Sequence, residues 1–331
     1  MGSAAAAGSQ AAAAGARAPS PGLVEVVAAP SNLGLRPPAP GREPGAWRAP
    51  GVLLSEGLDR RLNATRIVEL PRPSYESRAQ PGTRIRNGIT IREHALRLAD
   101  AVASALAAPR FVVVAGGDCS ILLGCLAGAR RAGRCGLLHV DGHRDFYHPG
   151  NYDAGSRLGS AAGMDLALAT GRGELLLTHW PVVGKPLVND DDVIQIGDRE
   201  PAETGPGSLD RPIARWPVQD VLRDGTAEVA GRALGHLRHQ GLDRVWLHVD
   251  LDVLDHSELP AVDTPGSPGL TFDQLGQLLS PLIASGRVAG LGVTSYDPDL
   301  DPAGEYAPRI VDCLASALAT LASPIAGKAN T

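Results

Sequence analysis

Three residues that can bind a metal ion or move a proton lie at alternate positions in one short stretch of the chain. Asp141, His143 and Asp145 follow the apolar residues 137–140. If those residues form a buried strand whose end stays extended, the side chains at i, i+2 and i+4 point to one side and converge. A strand end with solvated acids and a surface histidine would show the same pattern. This stretch alone therefore leaves both interpretations open.

A second carboxylate pair favours a functional site over solvated surface residues. Asp250 and Asp252 also follow a short apolar run, and the carboxyl ends of parallel strands meet at the same edge of a sheet. Four carboxylates crowded into a cleft of low dielectric cannot all stay ionised without positive charge between them. Two divalent cations would balance them. Oxygen-rich ligands with one or two nitrogens favour Mn²⁺ or a similar ion, and paired ions suit hydrolysis because they lower the pKa of a shared water.

The rest of the chain alternates short apolar runs with amphipathic segments, which predicts the elements that hold these residues. Strands are expected to begin near residues 23, 66, 111, 137, 193, 244 and 288, and helices are expected over 89–107, 120–131, 225–240, from 271 and over 308–321. Near-continuous apolar strands that alternate with helices indicate an α/β fold with a mainly parallel sheet covered on both faces. We expect a disordered low-complexity tail over 1–22 and one domain over 23–325.

The composition argues against several classes of partner. The net charge of −5 gives no basic footprint for nucleic acid and no polybasic segment for a membrane surface. An apolar run of about 20 residues, as a membrane span requires, does not occur in the sequence. The four cysteines form no CxxC pair, which favours a reducing compartment, and we therefore predict a cytoplasmic protein.

Several ordered motifs resemble those of the ureohydrolase (arginase, agmatinase and formiminoglutamase) family. They are GGDCS at 116–120, DGHRD at 141–145 and DLDVLD at 250–255, followed by PAVDTP at 260–265, and the likeness runs from about residue 24 to 321. The resemblance implies a three-layer α/β/α sandwich with a binuclear Mn²⁺ centre that hydrolyses a guanidino or related C–N group. Position by position, the resemblance implies that Asp141 and Asp250 bridge the two metal ions. Cys119 and Asp145 would complete the coordination of one ion, and His143 and Asp252 that of the other.

The chain departs from that family at the first metal ligand. Cys119 stands where the family has histidine. A thiolate is a softer ligand than imidazole and adds negative charge to an anionic site. Three outcomes stay open: a weaker first ion, preference for a different ion, or a buried thiol that binds none.

Two further family residues are replaced. The segment that usually carries a proton-shuttle histidine reads SRLGS at 156–160, and His148 is a substitute if it is more than a solvated loop residue. Ser295 takes the place of a glutamate that pairs with the substrate guanidinium. Asp297, Asp299 or Asp301 could receive that cation from a shifted position, or could form a solvated acidic turn.

The loop after Asp145 is aromatic and predicts the substrate class. Phe146, Tyr147 and Tyr152 suit a bulkier substrate than free arginine. We therefore expect a metal-dependent amidinohydrolase that releases urea from another small guanidino compound. A metal-activated hydroxide would attack the guanidino carbon, oriented by Asp145, which would accept its proton. A catalytically impaired binding or assembly protein and an amide or formimino hydrolase remain alternatives, and the resemblance implies a homotrimer or homohexamer.

Overall fold

The computed structural model describes residues 23–200 and 213–322. Within these ranges the chain forms eight strands: β1 Val24–Ala29, β2 Ala64–Glu69, β3 Phe111–Gly116, β4 Gly136–Val140, β5 Val193–Ile196, β6 Ala214–Trp216, β7 Val245–Asp250 and β8 Val288–Thr294. The α-helices are α1 Ala49–Ser55, α2 Leu58–Arg61, α3 Gly88–Leu106, α4 Ile121–Ala129, α5 Asp165–Ala169, α6 Leu175–Thr178, α7 Val218–Asp224, α8 Thr226–His239, α9 Phe272–Ala284 and α10 Tyr306–Ala322.

The strands make one sheet in the order β2-β1-β3-β8-β7-β4-β5-β6, and every pairing between them is parallel. Successive side chains of a strand point to opposite faces. Val113 of β3 accordingly packs into the core that includes α8, α9 and α10, whereas Val112 packs into the core that includes α3, α4 and α5. The predicted α/β/α sandwich with a parallel sheet is confirmed.

The central strands bring the predicted site residues to one edge. β4 and β7 are neighbours with His139 opposite His248, and β7 and β8 are neighbours with Asp250 opposite Thr294. Because all these strands are parallel, the loops that follow them leave the sheet at the same edge. The GGDCS loop after β3 joins them there, since β3 pairs with β8.

The reasoning that placed the three residues of the opening motif on one extended strand end was wrong in its geometry. β4 ends at Val140, and Asp145 has a left-handed backbone with a φ of 47°. Similarly, β7 ends at Asp250 and the chain turns through a 3₁₀ helix over Leu251–Val253. The side chains are gathered by tight turns rather than by strand alternation.

Several short elements escaped prediction, among them β6 and α7. β6 has three half-buried residues at the sheet edge, which is too short for a periodic pattern, and α7 follows it directly. The helix expected from residue 271 is α9, and Thr271 caps it in a full capping box with Gln274. The predicted tail over 1–22 lies outside the described residues. Among the helices of the described ranges, none combines the length and apolarity of a membrane span.

Candidate metal centre

The GGDCS loop is held in place by a buried aspartate. Asp118 is fully buried; one carboxylate oxygen accepts a hydrogen bond from Gly34 N at 2.7 Å, and the other accepts from the hydroxyls of Ser31 and Ser120. Gly117 is required here, because a Cβ atom at this position would lie 1.8 Å from the backbone oxygen of Ser31. This packing fixes the turn that directs Cys119 towards β7 and β8.

Cys119 lies inside the carboxylate cluster. Its Sγ is 2.6 Å from Asp250 Oδ2, to which it donates, and 3.1 Å from Thr294 Oγ1. Burial, followed by the negative charges of Asp250 and Asp165, raises the pKa of the Cys119 thiol well above its usual range. The thiol therefore stays protonated unless a cation binds beside it.

Ser295 lies beside Cys119 in the cluster, with its Oγ 3.4 Å from the Cys119 Sγ. Its φ of 76° is in the left-handed region, where a non-glycine residue is uncommon and marks a constrained site. Its backbone N–H donates to Gly117 O at 2.7 Å, and its Oγ donates to Asp250 Oδ2 at 2.6 Å. The structure thus brings Ser295 into contact with a predicted bridging ligand, and the strained backbone is what aims the hydroxyl there.

The second half of the cluster links the loops after β4 and β7. Asp252 Oδ1 accepts from Gly142 N at 3.0 Å, and Asp252 Oδ2 lies 2.8 Å from His143 Nδ1. Burial lowers the pKa of His143, but the Asp252 hydrogen bond and the charges of Asp252 and Asp250 outweigh it and raise the pKa to about 9. Burial and the Asp252 charge raise the pKa of Asp250 to about 7.

Asp141 supplies the clearest sign that a cation belongs here. Its Oδ1 accepts from His143 N at 2.6 Å, whereas its fully buried Oδ2 has no hydrogen-bond partner among the described residues. Burial and the charges of Asp145, Asp250 and Asp252 raise the pKa of Asp141 well above its usual range. A divalent ion would satisfy the free oxygen and offset the repulsion.

All six predicted metal ligands occur in sets whose donor atoms lie within 4.8 Å of one another; the sets are Cys119, Asp141, His248 and Asp250; Cys119, Asp145 and Asp165; and Asp141, His143 and Asp252. The donors are mostly carboxylate oxygens with imidazole nitrogens and one sulfur. Such a mixture fits first-row divalent ions such as Mn²⁺.

Not every predicted catalytic residue is brought to this cluster. Asp297 accepts from the backbone N–H groups of Gly45 at 3.0 Å and Asp299 at 2.9 Å, so that its carboxylate holds a loop. Asp299 pairs with Arg48, and Asp301 accepts from the Tyr296 hydroxyl. These contacts explain the acidic turn structurally and give no support to its role as a cation receptor.

His148 belongs to a turn of the loop that follows the DGHRD motif. Its Nδ1 accepts from Gly150 N at 3.1 Å, and its ring packs edge-on against Phe146. It occurs in none of the candidate ligand sets of the described chain. Its proposed part in proton transfer stays a prediction.

The sequence reasoning missed three fully buried residues, His139, Asp165 and His248. They form a fourth candidate ligand set directly beside the others. A signal was present: the tetrapeptide Leu-His-Val-Asp ends at both Asp141 and Asp250. A histidine two residues before the acid, inside an otherwise apolar buried strand, points to the same face as the strand's end.

A cavity of about 470 Å³ accounts for part of the predicted substrate pocket. Tyr147, Tyr152 and Asp263 line it, together with residues of the 157–164 segment. Phe146 does not, because it is fully buried in the core, with the Arg172 guanidinium 4.9 Å from its ring centroid. The prediction that Phe146 lines the pocket was therefore wrong: its side chain anchors the loop instead.

Comparison with known proteins agrees with this geometry. The sequence model of the arginase family matches residues 56–320. The chain belongs to the arginase family. It is 29% identical to an arginase of Bacillus caldovelox over 299 residues, which is 88% of this chain and 97% of that protein. The native structure of the Bacillus caldovelox arginase superposes with a TM-score of 0.74 at 26% identity, covering 89% of this chain and 97% of the other.

A more distant solved structure shares the fold. Formimidoylglutamase from Bacillus subtilis superposes with a TM-score of 0.66 at 17% identity, over 91% of this chain and 87% of the other. Homologues in the arginase family are hydrolases that act on guanidino or amidino compounds. The chain is thus an arginase-family hydrolase with a candidate binuclear metal centre.

Proposed function

We propose that this arginase-family chain releases urea from a guanidino compound other than free arginine, with two Mn²⁺ ions held by Cys119, Asp141, His143, Asp145, Asp250 and Asp252. The observation that carries the proposal is the buried convergence of these side chains with a free Asp141 oxygen. When bound, two divalent ions would supply a water of lowered pKa that can attack the electrophilic guanidino carbon.

Residues of the chain itself accept a proton and position the metal ligands. Asp145 is partly buried between Cys119 and Asp165, a position from which its carboxylate can accept a proton from the attacking water. Ser295 fixes one oxygen of Asp250 through its hydroxyl. Gly142 N and His143 hold both oxygens of Asp252, so that the cluster is organised before substrate arrives.

The cavity beside the centre supports the choice of substrate class. At about 470 Å³ it is in the usual range for small-molecule sites. Desolvation raises the pKa of Asp263 at the cavity wall and the Asp252 charge adds to it, while Arg36 and His143 act in the opposite direction. Asp263 is thus near enough to Asp252 and His143 for their charges to act on its pKa. Asp263 offers an acceptor for a cationic substrate group, and Tyr147 and Tyr152 offer ring surface for a larger body.

The direct test is urea release by protein reconstituted with Mn²⁺, and in parallel with Co²⁺, Ni²⁺, Fe²⁺ or Zn²⁺. The panel contains free arginine, guanidinoalkylamines, ω-guanidino acids and aryl-substituted guanidines. We expect at least one of the last three classes to have a higher kcat/KM than arginine and the Asp252→Asn variant to lose turnover. No turnover of any compound with any ion would contradict the proposal, and arginine as the best substrate would refute its substrate part.

One set of contacts favours a second candidate, a family member that has lost catalysis and serves as a binding or assembly protein. Hydrogen bonds satisfy several carboxylate oxygens of the cluster without a metal ion, since Cys119 and Ser295 both donate to Asp250 and His143 pairs with Asp252. Metal content separates the two. At least two ions per chain after reconstitution support the enzyme, and none supports the binding protein.

An amide or formimino hydrolase would use the same ligands and is distinguished by its product. Such an enzyme would release ammonia or formamide from its substrate instead of urea. The homotrimer or homohexamer and the cytoplasmic location also stay predictions. Sedimentation of the metal-loaded protein measures the first, and fractionation of the source cells measures the second.

A further inference from the structure

Behind the predicted binuclear centre, three side chains from separate elements meet in the protein interior. His139 of β4 and His248 of β7 are opposite each other in the sheet, and their rings stack with centroids 4.9 Å apart. Asp165 begins α5 and reaches both rings: its Oδ1 is 3.3 Å from His139 Nε2, and its Oδ2 is 3.6 Å from His248 Nε2. All three side chains are 0% exposed.

The hydrogen bond to Gln195 determines which ring nitrogen of His139 carries a proton. The side-chain amide of Gln195 donates to His143 O at 2.7 Å, so its other end, Oε1, faces His139 Nδ1 at 2.6 Å. An amide oxygen only accepts, and Nδ1 must therefore carry the proton. His139 Nε2 is then the nitrogen that faces Asp165, 3.3 Å from its Oδ1. Metal-binding histidines characteristically donate their other N–H to an oxygen in this way.

Several buried polar atoms around this point have no hydrogen-bond partner among the described residues. Asp165 Oδ2, His248 Nε2 and the nearby Asp141 Oδ2 have no hydrogen-bond partner within residues 23–200 and 213–322. Asp141 Oδ2 is also only 3.7 Å from His139 Nε2. Buried polar atoms are ordinarily paired, because an unpaired buried polar atom destabilises the folded protein. Several such atoms around one point indicate a ligand.

The separations suit a metal ion. Bonds of about 2.0–2.1 Å place the ligands of a tetrahedral ion about 3.4 Å apart. The His139 and His248 nitrogens are 3.3 and 3.6 Å from Asp165, each from a different carboxylate oxygen, and the donor atoms of all three residues lie within 4.8 Å of one another. We propose that His139, Asp165 and His248 bind a third divalent ion deeper in the sheet than the two expected ions. Two imidazoles and a carboxylate suit Zn²⁺, Fe²⁺ or Co²⁺.

Zinc stoichiometry tests the site without any reference to turnover or substrate. Protein stripped with chelator is loaded with Zn²⁺, desalted and analysed for zinc per chain. We expect His139→Leu to bind one zinc fewer than the wild type, because His139 occurs in this ligand set and in none of the other three found in the described chain. The matched control is His94→Leu, which removes another buried histidine without hydrogen-bond partners, in α3, and should bind as much zinc as the wild type.

The alternative is that His248 serves the first ion, since it also lies with Cys119, Asp141 and Asp250. In that case His248→Leu loses a zinc while His139→Leu does not, and the proposal is overturned. It is equally overturned if neither variant loses zinc. Anomalous diffraction from zinc-loaded wild-type crystals answers the question even if His139→Leu fails to fold. A peak about 2.0–2.1 Å from His139 Nε2 and a His248 nitrogen supports the site, and its absence contradicts it.

Discussion

Replacing His94 of α3 by leucine should make the protein more resistant to mild acid. The ring is 3% exposed, and neither of its nitrogens has a hydrogen-bond partner in the described part of the chain. Burial, with a smaller contribution from Arg97, lowers the pKa of His94 to about 4. The unfolded chain therefore binds a proton on His94 more readily than the folded chain does between the ordinary value near 6.5 and the folded value.

The sign and size follow from that difference. Well above pH 6.5, protonation of His94 does not lower the free energy of unfolding. The loss grows as the pH falls towards 4 and is constant below pH 4. From these pKa values, the free energy of unfolding should fall by about 2 kcal/mol between pH 7 and pH 5 on account of His94, with a limit of about 3 kcal/mol at lower pH. His94→Leu has no group to protonate and should lack this part of the loss.

Urea unfolding followed by circular dichroism at pH 7 and pH 5 measures the effect. Chelator is present throughout, because metal affinity itself depends on pH. The exposed His239 of α8 provides the control His239→Leu, which should keep the wild-type pH dependence. Equal losses of stability for the wild type and His94→Leu between the two pH values would refute the reasoning.

Three further outcomes are expected. Asp250→Asn should raise the melting temperature of the chelator-treated protein and abolish urea release, because it removes one of the crowded negative charges that the ions need; a lower melting temperature without metal would contradict this. Cys119→His should lower the Kd for Mn²⁺ in a titration, since a neutral imidazole suits this ion better than a thiolate, and an unchanged Kd would show that position 119 does not ligate. Thr271→Ala should reduce the free energy of unfolding by about 1 kcal/mol through loss of the α9 cap, with no change in urea release, and a loss of activity at unchanged stability would be the contrary result.

Much of the fold could be predicted because its signals are local. The near-continuous apolar runs of β3, β4 and β7 are typical of strands buried on both faces. The helix α3 shows the apolar period of an amphipathic helix, and α9 begins with a capping box. The strand β6 could not be predicted, since its three half-buried residues are too few to show a periodic pattern and form a strand only by pairing with β5. Its existence depends on a neighbour that is distant in sequence.

The candidate site, like the fold, could be predicted only in part. The carboxylates were found from their spacing, but the reason offered for their convergence failed, because Asp145 turns through a left-handed backbone conformation that alternation does not describe. Asp165 could not be found from the motifs, because the chain brings it to the cluster from the start of a short helix. His139 and His248 were overlooked because buried strands are read as apolar packing, although their register across β4 and β7 places them side by side.

The central claim is that the buried carboxylates at the carboxyl edge of the sheet bind paired divalent ions. Anomalous diffraction at a wavelength sensitive to manganese, on crystals grown with Mn²⁺, tests it most directly. The account predicts two ions bridged by Asp141 and Asp250, with Cys119 Sγ bonded to one of them. It would be contradicted by density that shows no ion between those two carboxylates while Cys119 and Ser295 still donate to Asp250.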